Sequence, residues 1–252
     1  MEWGIFGEYH VLFNIPVALA NALSSSLIPA LTMAVASHDR QKTLSQIRVS
    51  IRFTLLIAVP CSIGMAVLAD PLSRMLFPGK NVHLLIQLTR VGSFAVLLYS
   101  LSTITNAILQ GLGHLNLPLY HSMVALVLHL LSLVLFLYAG LGIYGVVLSN
   151  IVFALIMCFL NQRAIFRHTR FRIDLFRSLV MPMLSGLIMG GAAYVIYFVI
   201  YILLPGGLRK GRVGSALSLL PAVFIAILIY FFLLLRSHTL TREDLDEMPM
   251  GG

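Results

Sequence analysis

The sequence predicts an all-α fold: a polytopic membrane helix bundle of about seven transmembrane helices. Three observations carry this. First, 59% of the 252 residues are hydrophobic and only 10% are charged, against about 25% charged in a soluble domain. Second, the charges cluster, and the stretches between clusters stay apolar for the ~20 residues that a bilayer-crossing helix needs. Third, no ~10-residue segments of alternating polarity occur, which excludes a membrane β-barrel.

The predicted spans run over 9–36, 50–69, 84–110, 115–139, 142–162, 179–204 and 214–235. Proline or glycine interrupts several of them. Membrane helices tolerate this when neighbours satisfy the freed backbone groups. Gly-Leu-Gly at 111–113 and at 140–142 reads as a turn between spans, not as a dinucleotide fingerprint. Met1 runs almost directly into the first span, with no signal peptide ahead of it.

The loops predict an orientation. Four basic residues lie between Arg40 and Arg52, five between Arg163 and Arg177, and two at Arg236 and Arg242. These eleven of the 17 basic residues fall on one side of the membrane. The other side holds Arg74, Lys80, Arg90, Arg209, Lys210 and Arg212. The richer side is expected to be cytoplasmic, with the N-terminus outside and the C-terminus inside. The net charge of +8 therefore reads as topogenic and not as a nucleic-acid footprint. The arginines of 163–177 also suit anionic headgroups.

No catalytic constellation stands out. Cys61 and Cys158 lie in apolar runs and read as packing residues, not as a disulfide or a metal site. Zinc spacings, phosphate loops and nucleophile elbows are missing, so no metal, cofactor or enzyme activity is expected. Asp244 and Asp246 belong to a short polar tail that they solvate.

Polar side chains inside spans are the remaining signal. In the first span His10, Asn14, Asn21 and Ser25 fall within roughly 60° of arc at 100° per residue. Glu8 lies further out, away from that stripe, at the head of the apolar run. In the third span Tyr99, Ser102, Thr103, Asn106 and Gln110 form a second stripe. In the fourth, His129 sits near mid-membrane with His121 and Ser132 on a similar side. Two readings stay open for these stripes: hydrogen bonding between packed helices, or the lining of a substrate cavity.

The order of motifs resembles the multidrug/oligosaccharidyl-lipid/polysaccharide flippase superfamily. NIPVALANALSSSLIPALTMAVASHD at 14–39 looks like the second helix of a lobe in that family. TLLIAVPCSIGMAVLADPLSRMLFPG at 54–79 resembles the next helix and its closing turn. ILQGLGHLNLPLY at 108–120 and GLGIYGVVLSN at 140–150 match in order and spacing. LTREDLDEMP at 240–249 is similar to the end of the stage V sporulation protein B group.

This resemblance implies one lobe of a multidrug-exporter-like or lipid II flippase-like transporter, plus an extra C-terminal helix pair. The chain would be the C-terminal half of a transporter, or a fragment. Residues 1–165 would form the second-lobe bundle, 166–237 the helix pair with a groove for a lipid tail, and 238–252 a cytoplasmic tail. The implied function is flipping of a lipid-linked oligosaccharide or peptidoglycan precursor across the bacterial cytoplasmic membrane. The implied partners are that substrate, membrane lipids and an N-terminal half, and not nucleic acid. His10, Asn14, Asn21, Tyr99, Asn106, Gln110 and His129 become cavity candidates, and Glu8 an ion-coupling candidate. Lipid II flippases place an arginine near the start of this helix, and the matching position holds Val11. The alternatives are a small-molecule or drug antiporter and a non-transporting membrane scaffold or remnant.

Overall fold

The computed structural model describes residues 2–79, 82–171, 176–205 and 212–236, and they form helices and turns without a strand. Eight α-helices follow one another: α1 (Glu2–Ala36), α2 (Arg40–Val67), the short α3 (Ala69–Leu76), α4 (Val82–Gly111), α5 (Asn116–Tyr138), α6 (Ile143–Thr169), α7 (Met181–Leu203) and α8 (Arg212–Arg236). A π-helical turn, Phe176–Val180, leads into α7. All but α3 belong to seven segments long and apolar enough to cross a membrane.

The turns follow from local chemistry. α1 ends at Ala36, and His38 takes a left-handed φ of 55°. Asp39 then caps α2, accepting the Lys42 backbone N–H at 2.9 Å. That satisfies one of the free N–H groups at a helix start. α4 closes through Gly113, at φ 83°, with the His114 N–H returning to the Leu109 carbonyl at 2.9 Å. α5 closes in the same way through Gly140, with the Leu141 N–H bonded to the Phe136 carbonyl at 3.1 Å. These long return bonds with a left-handed glycine satisfy the last carbonyls of each helix.

Three sequence expectations change here. α1 begins at Glu2, so Glu8 sits inside the helix and not at its mouth. α2 begins at Arg40, which shrinks the expected 37–52 loop to a three-residue turn and leaves Arg52 buried. α6 runs to Thr169, so Arg163 and Arg167 are helical as well. Hydropathy reports where hydrocarbon ends. A helix continues beyond that point, because water receives its charged side chains. At 35 residues and ~1.5 Å per residue, α1 is longer than the ~30 Å hydrocarbon core. The helix α3 is an addition to the expected turn after the second span. Its Asp70 and Arg74 pair across one turn at 3.0 Å. Lys80, Arg172, Arg209, Lys210 and the tail 238–252, with Arg242, Asp244 and Asp246, lie outside the described residues.

α4 is the central helix, packed against α1, α2 and α6. α5 rests on α6 and leaves most of its surface uncovered. On the other side α7 packs on α2, and α8 on α7 and α3. Small residues set this second contact. A Cβ on Gly186 would meet Ile63, and one on Gly190 would meet Ile63 and Val67. The spacing Gly186-x-x-x-Gly190 lets α7 approach α2 closely, which is how dispersion forces hold membrane helices together. The Tyr230 hydroxyl, on α8, donates to the Leu56 carbonyl on α2 at 2.9 Å.

Candidate functional site

α1 has two faces of opposite chemistry. Its inner side carries Tyr9, Leu12, Phe13, Val17 and Ala20, all buried. The predicted stripe lies elsewhere: His10, Asn14, Asn21 and Ser25 are all exposed. His10 Nδ1 and Asn14 Nδ2 are 2.8 Å apart, one turn along the helix. Val11 is 54% exposed beside them. Glu8 is half-buried.

A chain of rings joins three of the predicted residues across four helices. His10 meets Phe13 with centroids 5.9 Å apart. Phe13 meets Tyr99 of α4 edge-on at 5.2 Å. Tyr99 stacks on Phe153 of α6 at 6.2 Å, and Phe153 meets the edge of His129 of α5 at 6.1 Å. Such offset and edge-on pairs are the favoured aromatic geometries. His129 is half-buried, and its Nδ1 has no hydrogen-bond partner among the described residues.

Asn106 belongs to a different cluster. Asn161 of α6 is fully buried and donates to Asn106 Oδ1 at 2.7 Å and to Thr105 Oγ1 at 3.1 Å. His121 of α5 lies against Asn161 Oδ1 at 2.7 Å. This network ties α4, α5 and α6 together. Sequence reasoning missed Asn161. It stands where the fifth span meets a polar run, and only the burial of that helix face reveals it. Asn21 stands on the open face of α1, and Gln110 is half-buried at the far end of α4. Cys61 and Cys158 are free thiols, and Cys158 donates to the Leu98 carbonyl at 3.1 Å. Among the described residues no three His, Cys, Asp or Glu side chains come together to hold a metal ion.

The groove-facing side of α1 is apolar. Between α1, α2, α3, α7 and α8 lies a groove of about 610 Å³. Leu12, Ile15 and Leu19 of α1 form one wall, and Met189, Val223 and Phe231 line the side of the helix pair. Almost no polar surface enters it.

Comparison with known proteins follows this geometry. The sequence model described as lipid II flippase MurJ matches residues 9–209. The chain is 25% identical to an uncharacterised membrane protein of Bacillus subtilis, YabM, over 99% of this chain and 45% of that one. It is 26% identical to the probable lipid II flippase MurJ of Bdellovibrio bacteriovorus, over 87% of this chain and 42% of that one. It is 25% identical to the lipid II flippase MurJ of Bacillus subtilis, over 88% and 41%. The chain thus spans less than half the length of these curated relatives. The match covers six of the seven long apolar helices in whole or large part, and with it this multi-pass membrane chain belongs to the lipid II flippase MurJ family.

Proposed function

We propose that this chain supplies the C-terminal half of a transporter that flips a lipid-linked sugar, of the lipid II class, across the bacterial cytoplasmic membrane. One observation carries this reading. α1 stands between an apolar groove and an exposed polar face. An amphiphile with a long tail and a large polar head needs both environments at once, separated by about one helix. The tail occupies the groove beside α7 and α8, and the head lies along His10, Asn14 and Asn21. Tyr99 and His129 continue that wall through the ring chain. Gln110 and Asn106 extend it toward the cytoplasmic end.

The partner is a second lobe, on the same or another polypeptide, covering the polar face of α1. Rocking of two lobes about a mid-membrane site then carries the head across. The protein acts as a transporter and carries out no covalent chemistry. The basic α1–α2 turn faces the cytoplasm, with the N-terminus outside. Imidazole N–H groups of His10 and His129 donate to the phosphate oxygens, in place of the arginine that Val11 replaces. Glu8 is the remaining candidate for coupling to an ion.

The test is flipping of fluorescent lipid II in liposomes by this chain assembled with an N-terminal lobe. His10→Ala and His129→Ala lower the rate per folded molecule, and Val11→Arg restores it in the His10→Ala background. Unchanged normalised rates in both histidine variants defeat the head-binding role. Glu8→Gln abolishes ion dependence if Glu8 couples, and leaves it intact otherwise. The chain by itself inserts but moves no lipid, and flipping above empty liposomes by this chain alone would contradict the two-lobe reading.

A further inference from the structure

A second cavity lies at the opposite end of the lobe from Glu8, and none of the transport residues line it. It measures about 410 Å³ and is lined by His38, Arg40, Thr43, Leu112, His168 and Thr169, among others. Three chain segments converge there: the α1–α2 turn, the α4–α5 turn and the end of α6. We propose that this cleft binds the phosphate of an anionic membrane lipid.

The charge balance favours an anion. Arg40 and His168 line the cleft, and Arg167 and Arg170 flank His168 and Thr169 in the sequence. Asp39 is the one acid of the described residues at this end of the bundle, and the α2 backbone engages it as a cap. Hydroxyls of Thr43 and Thr169 add neutral donors, which now return to the Asp39 and Ile165 carbonyls at 2.8 and 2.7 Å. Arginine and imidazolium bind phosphate oxygens through charge-assisted hydrogen bonds.

The position favours a lipid over a soluble anion. The apolar run of the first span closes at residue 36, two residues before His38 of the lining, which sets the cleft at the edge of the hydrocarbon. Val35, Leu44 and Leu112 share the lining with the cationic groups. A lipid headgroup offers this combination, a phosphate joined to an apolar glycerol backbone. A free phosphate has no use for the apolar half.

His168 is also held in place. Its ring lies on that of His114, with centroids 3.9 Å apart. Burial and the neighbouring His168 both hold the His114 pKa below the ordinary imidazole value. The proposal stands apart from the flippase reading, since neither the polar face of α1 nor the groove takes part.

The experiment counts lipids on this chain by native mass spectrometry. The chain is released from nanodiscs containing phosphatidylcholine with a minor share of phosphatidylglycerol. One phosphatidylglycerol stays bound to the unaltered chain. Arg40→Gln with His168→Gln lowers its retention at least about tenfold, the loss of roughly one charge-assisted contact. His168→Lys, which places a cation at that position, retains it. Arg48→Gln with Arg163→Gln removes charge from exposed positions outside the cleft lining and leaves retention unchanged. Equal loss in that control pair would show diffuse charge attraction and overturn the site. A second arm adds inorganic phosphate to the chain in pure phosphatidylcholine and follows the His168 ring resonances. Saturable shifts there, without retained phosphatidylglycerol in the first arm, would assign the cleft to a soluble anion and overturn the lipid.

Discussion

The ring of Tyr9 on α1 lies directly over the Cα of Gly92 on α4, in the place where a side chain would start. The same arrangement recurs at the other end of these helices, where Leu31 packs on Gly111. Two glycines on the central helix therefore set the distance at which α1 stands, and with it the placement of the polar face. Gly92→Ala has no room unless Tyr9 moves. It should destabilise the lobe by about 1–3 kcal/mol, the usual cost of overpacking. Gly191→Ala, on α7, meets nothing within 4 Å and should be neutral. Thermal unfolding of both variants in one detergent checks the pair, and equal midpoints would rule out the close packing at Gly92.

The helix pair docks through Gly186 and Gly190 on Ile63 and Val67. Gly190→Val should loosen α7 from α2, and the apolar groove with it. Cys61 is a native reporter, because it lines that groove. Its labelling by a membrane-permeant maleimide should rise severalfold in Gly190→Val, while that of Cys158 on α6 stays level. Equal change at both cysteines would indicate general unfolding and not undocking.

Much of the fold was legible in the residues. Seven spans follow from hydropathy, and the glycine turns at 113 and 140 follow from where the apolar runs break. The outward stripe of α1 follows from periodicity, since a helix must leave one face uncovered when the other packs on α4. What stayed hidden depends on partners distant in sequence. Gly186 and Gly190 look like ordinary members of an apolar run until Ile63 is seen against them. The hydrogen bond between Asn106 and Asn161 stayed hidden because the two stand 55 residues apart. The His114–His168 stack joins two turns that sequence spacing does not relate. That an apolar groove and a polar face lie on two sides of α1 needed the position of α8, which no local pattern encodes.

Asn161 offers a test of packing against transport. Asn161→Leu removes the acceptor facing His121 and the donor to Asn106. Interhelical hydrogen bonds of this kind contribute about 0.6–2 kcal/mol in membranes. Asn161→Leu should lower stability by that order, and so should His121→Leu. Their combination should cost less than the sum, because the two share one bond. Strict additivity in this double-mutant cycle would show that the bond contributes nothing.

The orientation is open to a labelling test. With Cys61 and Cys158 replaced by alanine, single cysteines at Ser37 and at Ala139 mark the two ends of the bundle. An impermeant thiol reagent added to intact cells should label Ala139→Cys and spare Ser37→Cys. The reverse pattern would invert the basic-side assignment.

The last prediction concerns acid. An imidazole in an unfolded chain takes up its proton at about pH 6.5. Burial first, and His168 second, hold His114 unprotonated to a lower pH in the folded lobe. Through that interval the unfolded chain binds more protons, so stability rises with pH. The contribution is therefore complete above about pH 6.5 and disappears as pH falls toward the lowered folded value. His168 on α6 faces His114 directly, and His38 and Arg40 line the same cleft. The thermal midpoint in phosphatidylcholine nanodiscs should fall between pH 7.5 and 5, in the steps expected of one imidazole. His114→Gln should flatten that fall, and His168→Gln should reduce it in part, because burial of His114 remains. Phosphatidylglycerol should reduce it too, since a phosphate beside His168 offsets the repulsion. The same pH slope in the unaltered chain and in His114→Gln would remove His114 from the acid response.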